Sequence, residues 1–191
     1  MNREKWLNKM AQHLYKRFID KGYKDIPKKI RFSCSLPSKG AFAKNQVLGE
    51  CWSCDASEDC TFEIMISHVI SESVRAADVL AHELVHVIVG IENGHNATFG
   101  KCARSIGLEG KLTATFAGED LTAYIKEHVK EIGEYPHASL TKPSDEKKQS
   151  TRQLKLVCKN DHPEYLVRMS KKTLDIAAPL CGLCRQEMVL G

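Results

Sequence analysis

The stretch VLAHELVHVIVG, residues 79–90, constrains this chain more than any other. It is apolar on nearly every side, yet it carries His82, Glu83 and His86. An unpaired carboxylate in such surroundings costs several kcal/mol, so the three groups need a common partner. On a helix, His82 and His86 lie one turn apart on the same face. Two imidazoles so placed grip one zinc ion. Glu83, offset around the helix, stands beside the metal, where a general base takes a proton from a zinc-activated water. The pattern HExxH carries that mechanism in its spacing.

A catalytic zinc usually takes three protein ligands. The spacing HExxHxxGxxH fails here, because Val89 stands where the glycine belongs. His95, in ENGHNATF, follows a glycine turn and opens the next helical segment, so it can fold back onto the pair. Glu109 and Glu119 are rival third ligands at workable distance. Spacing favours His95 only modestly.

The rest of the chain reads as α+β. Trp6, Met10, Leu14 and Phe18 recur at four-residue steps and predict a helix over 3–20. Segments 30–36, 46–53 and 62–70 read as strands, with DASED (55–59) as the turn between the last two. Helices follow over about 73–89, capped by Ser71 or Ser73, then over 97–106 and 121–132. Strands in a block, followed by helices, predict an antiparallel or mixed sheet. From Pro136 to Gln153 the composition turns to Pro, Ser and Lys, a linker. The organisation is thus a domain over 1–135, a linker over 136–153 and a compact tail over 154–191.

That tail is too small for a self-sufficient core and needs a staple. Cys181 and Cys184 form a CxxC knuckle, and Cys158 and His162 precede them as CKNDH. Together they make a Cys₃His zinc set, with Asp161 as the alternative to His162. The other CxxC, Cys51 and Cys54, sits on a predicted hairpin with Cys60 nearby. Cys51 and Cys54 on one extended strand face opposite ways, so free thiols are expected. Pairing CWSC with CGLC in one Cys₄ site would require the tail docked on that hairpin. Cys34 and Cys102 read as small buried residues.

Eight cysteines behind a charged, amphipathic N-terminus with no apolar h-region predict a reducing, cytoplasmic setting. No apolar run reaches membrane-spanning length, so no membrane partner is expected. A net charge of +4 permits nucleic-acid contact without demanding it. The basic run EKKQSTRQLK, 146–155, is equally a phosphate contact or a solvated linker. It lacks the aromatic interleaving of single-strand binders.

HELVH followed by GHNATF and GLEGKLTAT resembles the SprT-like metallopeptidases, in particular their short phage and prophage members. Gly49, Glu50, Cys51 and Trp52 resemble that family's GECW-type strand. Glu63, Ile64, Ile66 and Ser67 resemble its EIxIS strand, and Phe99 its phenylalanine behind the third histidine. The likeness covers roughly residues 30–117 and, loosely, the tail. It implies a zincin core of helix, small three-stranded sheet and HExxH helix, with His95 as third ligand. It also implies zinc-dependent hydrolysis of a protein or peptide substrate, a DNA association, and, for a phage protein, a host bacterial cytoplasm. Family zinc ribbons carry two CxxC pairs. Here Asp161 stands where the second cysteine of the first pair is expected, which leaves the fourth ligand open. Tyr124 and His68 are unsupported candidates for a second oxyanion donor. The rival class is a DNA-binding or assembly protein that uses the same scaffold without turnover.

Overall fold

The computed structural model describes residues 1–38, 46–141, 153–160, 162 and 164–191. The chain forms two compact units, Met1–Lys142 and Pro143–Gly191. It is α+β, with small sheets and five α-helices among the described residues.

Unit 1 opens with α1, Arg3–Asp20. The Asn2 side chain caps it by accepting from the Lys5 amide at 2.9 Å. Its stripe of Trp6, Leu7, Met10, Leu14 and Phe18 is wholly buried, each such side chain contributing about 1.5–3 kcal/mol. β1 (Ile30–Ser35), β2 (Gly49–Trp52) and β3 (Phe62–Ser67) follow. They form one mixed sheet in the order β1-β3-β2. β1 runs parallel to β3, from Ile30↔Phe62 to Ser35↔Ser67. β2 runs antiparallel to β3, from Gly49↔Ile66 to Trp52↔Glu63, and among the described residues forms one edge of the sheet, β1 the other.

The central helix α2, Ser73–Val89, packs against α1, β2 and β3. Its cap is neither Ser71 nor Ser73 but Glu72, whose carboxylate accepts from the Val74 and Arg75 amides at 2.9 and 2.5 Å. A carboxylate suits this end because it also meets the positive pole of the helix. Ser73 is used elsewhere, accepting from the Tyr135 amide at 2.8 Å. Then come α3 (Ala97–Ser105), a hairpin of β4 (Leu108–Lys111) and β5 (Ala114–Ala117), and α4 (Glu119–Ile132). The sequence reading gave no strands here. The hairpin pairs Leu108↔Ala117 through Lys111↔Ala114, and β5 lies on α2.

Beyond α4 the chain stays on unit 1: the Leu140 amide donates to the His68 carbonyl at 2.8 Å, and Ser139 Oγ to the Val69 carbonyl at 2.7 Å. Residues 136–141, read from composition as linker, therefore carry no regular structure but do carry tertiary hydrogen bonds. The basic stretch 146–152 and Asp161 lie outside the described residues.

Unit 2 is a three-stranded sheet, β7-β6-β8, built from β6 (Leu154–Cys158), β7 (Leu166–Met169) and β8 (Met188–Leu190). A single-turn helix α5, Lys171–Leu174, follows β7. β6 and β7 fall on the alternating segments LKLV and LVRM. The buried centre is four residues, Leu156, Cys158, Cys181 and Met188.

Candidate metal centres

The last two turns of α2 deliver His82 and His86 on one face. Gly90 then ends the helix at φ +91, a left-handed conformation that a side chain resists, and Gly94 follows at φ +48. Between them the chain makes a single 3₁₀ turn, Ile91–Asn93. These two glycines turn the backbone sharply enough to return His95 to the helix. Asn96 then caps α3, its side chain accepting from the Thr98 and Phe99 amides at 2.8 and 3.2 Å.

His82, His86 and His95 form one group, with a ring nitrogen of each within 4.8 Å of the others. His82 Nε2 and His95 Nε2 are 3.1 Å apart. Two nitrogens on a tetrahedral zinc, each about 2.0–2.1 Å from the ion, sit about 3.4 Å apart, so the spacing fits. Burial, foremost, and the neighbouring imidazoles push His82 down to about 3 and His86 to about 4, and burial lowers His95. All three are therefore neutral at pH 7, the form that binds metal. Behind them lies Phe99, fully buried, its ring centre 5.0, 4.5 and 4.9 Å from those of His82, His86 and His95. It closes the rear of the site against water.

A residue that the sequence reading missed orients the first histidine. Thr115, on β5, places Oγ1 2.8 Å from His82 Nδ1. With the Nδ1 proton given to Thr115, Nε2 keeps its lone pair for a metal. Thr115 is itself held. Arg75 Nη1 donates to the Thr115 carbonyl at 3.1 Å and to Asp78 Oδ1 at 2.7 Å. Asp78 Oδ2 accepts from the Ala117 amide at 3.2 Å. One turn of α2 thus fastens the hairpin that steers a histidine further along the same helix.

Glu83 is 6% exposed. Desolvation, with Glu50 as a nearby like charge, pushes its carboxyl up to about 8. Gly49 lies directly over it. A Cβ there would overlap the Glu83 carboxylate and come within 2.7 Å of Val79 Cγ1 and 2.9 Å of Glu83 Cγ. Glycine stands at 49 to make room for that carboxylate, not to supply an unusual backbone angle. Cys51, two residues along β2, is held up at about 12 by burial and by the Glu83 charge, so it is an inert thiol.

The histidines and Glu83 line a groove of about 940 Å³ whose walls include Gly49–Trp52 of β2, Arg75, and Lys111 and Thr113–Thr115 of the hairpin. Neither Glu109 nor Glu119 belongs to the histidine group. Tyr124 does not reach the groove: its hydroxyl donates to the His13 carbonyl at 2.7 Å. His68 does not line it either; its carbonyl accepts from His137.

In unit 2, Cys158, His162, Cys181 and Cys184 form a second group able to hold a zinc ion, again within 4.8 Å of one another. Cys158 Sγ is 3.4 Å from Cys184 Sγ and 3.7 Å from His162 Nδ1. Ligands on a zinc with Zn–S of about 2.3 Å sit about 3.6–3.8 Å apart. The backbone amides of Cys184 and Leu183 point at Cys181 and bring its thiol down to about 7, while burial raises Cys158 to about 11. The knuckle closes at Arg185, which takes φ +62, and its amide donates to the Cys181 carbonyl at 2.8 Å.

Cys51, Cys54 and Cys60 form no such group, and the described cysteines are all free thiols. Cys102 is buried; Cys34 is only half-buried, with Sγ 3.2 Å from Tyr135 Oη. No helix is long and apolar enough to cross a membrane among the described residues. Comparison with models of known families, with curated proteins and with solved structures finds no match to this chain.

Proposed function

We propose that this chain is a zinc-dependent metallopeptidase of SprT-like type, with a zincin core in unit 1 and a zinc ribbon in unit 2. The observation that carries the reading is the convergence of three neutral imidazoles on one point beside a buried carboxylate, at the floor of an open groove. His82, His86 and His95 would hold the catalytic zinc. A zinc ion there supplies Lewis-acid polarisation of a carbonyl and acidification of a water. Beside a cation held by the three histidines, the raised Glu83 carboxyl would be drawn back to its ionised form. As a carboxylate Glu83 acts as general base, taking the proton of the attacking water and then passing it to the leaving amide nitrogen. The walls of its cavity, Gly49 and Val79, keep that carboxylate from swinging away. Cys158, His162, Cys181 and Cys184 would hold a structural zinc.

The edge position of β2 supports a polypeptide substrate. Its outer rim borders the groove and accepts an extended chain by backbone pairing. DNA-associated proteins in the cytoplasm are the substrate class that the family likeness implies. The test is Glu83→Gln, assayed on an unstructured protein with and without DNA. The variant keeps its full zinc content and loses cleavage. Cleavage at the unaltered rate would refute the mechanism.

A further inference from the structure

A third cluster lies away from the groove, where α1 meets α4. His13 of α1 and His128 of α4 stack with ring centres 3.8 Å apart and planes 18° from parallel. Glu131, one turn beyond His128, reaches both. Its Oε2 is 3.6 Å from His128 Nδ1 and 3.9 Å from His13 Nε2. One donor atom of each residue lies within 4.8 Å of the other two. The two histidine side chains are only 13% and 18% exposed, and His13 Nδ1 is buried with no hydrogen-bond partner.

Packing alone does not account for this choice of residues. A helix seam is ordinarily filled by aliphatic side chains rather than by two stacked imidazoles beside a carboxylate. Two imidazoles facing one carboxylate instead assemble two nitrogen donors and one oxygen donor at one spot. We propose that His13, His128 and Glu131 bind a divalent transition-metal ion, of the zinc, nickel or copper class, that clamps α1 to α4. The donor set selects that class: imidazole suits borderline cations, whereas calcium and magnesium call for oxygen cages. Glu131 is 67% exposed, so its side chain is free to close the last few tenths of an ångström onto an ion. The rings open from their stack as they turn to share it. The remaining coordination positions face water. Lys16, the neighbouring positive charge on α1, opposes a cation here, so this site binds more weakly than the three-histidine group.

The experiment is equilibrium dialysis of the full-length, zinc-loaded chain against Ni²⁺, with wild type, His128→Gln and Glu131→Gln compared. Wild type binds one more nickel ion per chain than His128→Gln, and Glu131→Gln binds it roughly tenfold more weakly or worse. Nickel also raises the melting temperature of wild type and not of His128→Gln. Equal nickel binding by all three proteins, or no thermal shift in wild type, would overturn the proposal. If His128→Gln does not fold, Glu131→Gln decides, because its side chain is open to water. The readout is a difference between wild type and seam variants, so it stands whether or not the groove cleaves peptides.

Discussion

Thr115→Val tests the hairpin's part in the metal centre without requiring a known substrate. Valine keeps the shape of threonine and replaces one hydroxyl by a methyl. In the tautomer that binds metal through Nε2, His82 Nδ1–H donates to Thr115 Oγ1, 2.8 Å away, in a setting where Thr115 is 5% exposed. The free protein escapes the loss by moving the proton to Nε2, where His95 Nε2 is 3.1 Å away. The metal-bound form has no such escape, since Nε2 must carry the lone pair and Nδ1–H stays buried and unpaired. The penalty, about 1–3 kcal/mol for an unsatisfied buried donor, therefore falls mainly on the loaded state. Zinc affinity at this centre falls by about 10–100-fold, that is about 1.4–2.7 kcal/mol. Competition against a chromophoric chelator measures it, and the unit 2 centre, untouched by the change, serves as internal reference. Unaltered affinity would refute the orienting role. Parallel weakening at both centres would mean that the fold, not the hydrogen bond, had been lost.

Other substitutions report on other parts of the molecule. Under the proposed mechanism, Gly49→Ala puts a methyl 2.9 Å from Glu83 Cγ and displaces the proposed base, so cleavage falls about 10–100-fold while zinc content holds; wild-type turnover would count against the steric role of Gly49. Cys181→Ser removes one zinc per chain and leaves residues 153–191 open to protease, because two of the four residues in that unit's buried centre are cysteines of the metal group. A tail that stays resistant, with the zinc count unchanged, would contradict this. Arg17→Met leaves the Ile106 carbonyl, now 2.7 Å from Arg17 Nε, without its donor, and removes a guanidinium 4.9 Å above the Tyr124 ring. The exposed Asp120 partner adds little, so the loss is about 2–3 kcal/mol, seen as a melting temperature roughly 5–10 °C lower.

How much of this was legible beforehand follows the range of the forces involved. α1 and α2 stood out because their apolar positions repeat with the helical period over four or more turns. His82, Glu83 and His86 were readable from one helical turn, and His95 from a glycine turn. The β4–β5 hairpin was not: its strands are four residues each, with Gly110 inside one of them, and their pairing is satisfied by α2 rather than by local pattern. Thr115 was invisible for the same reason, since nothing near it in sequence reveals a histidine 33 positions earlier. Tyr124 failed as a groove candidate because its helix turns it toward α1. Glu72 displaced two serines as cap by bonding two amides at once.

The ends of unit 1 are stitched together. Trp6 Nε1 donates to the Gly133 carbonyl at 2.7 Å, across 127 positions, and the Trp6 ring packs edge-on against Tyr135. The Tyr135 amide in turn donates to Ser73, at the start of α2. During synthesis the N-terminal helix meets β1 and α2 first, and its bond to Gly133 closes only once that later segment has left the ribosome. The first turn of the helix bearing His82, Glu83 and His86 gains its Ser73 bond at the same stage. A nascent chain that stops short of Tyr135 carries every groove-lining residue and still lacks the stitch that joins the start of α1 to the start of α2.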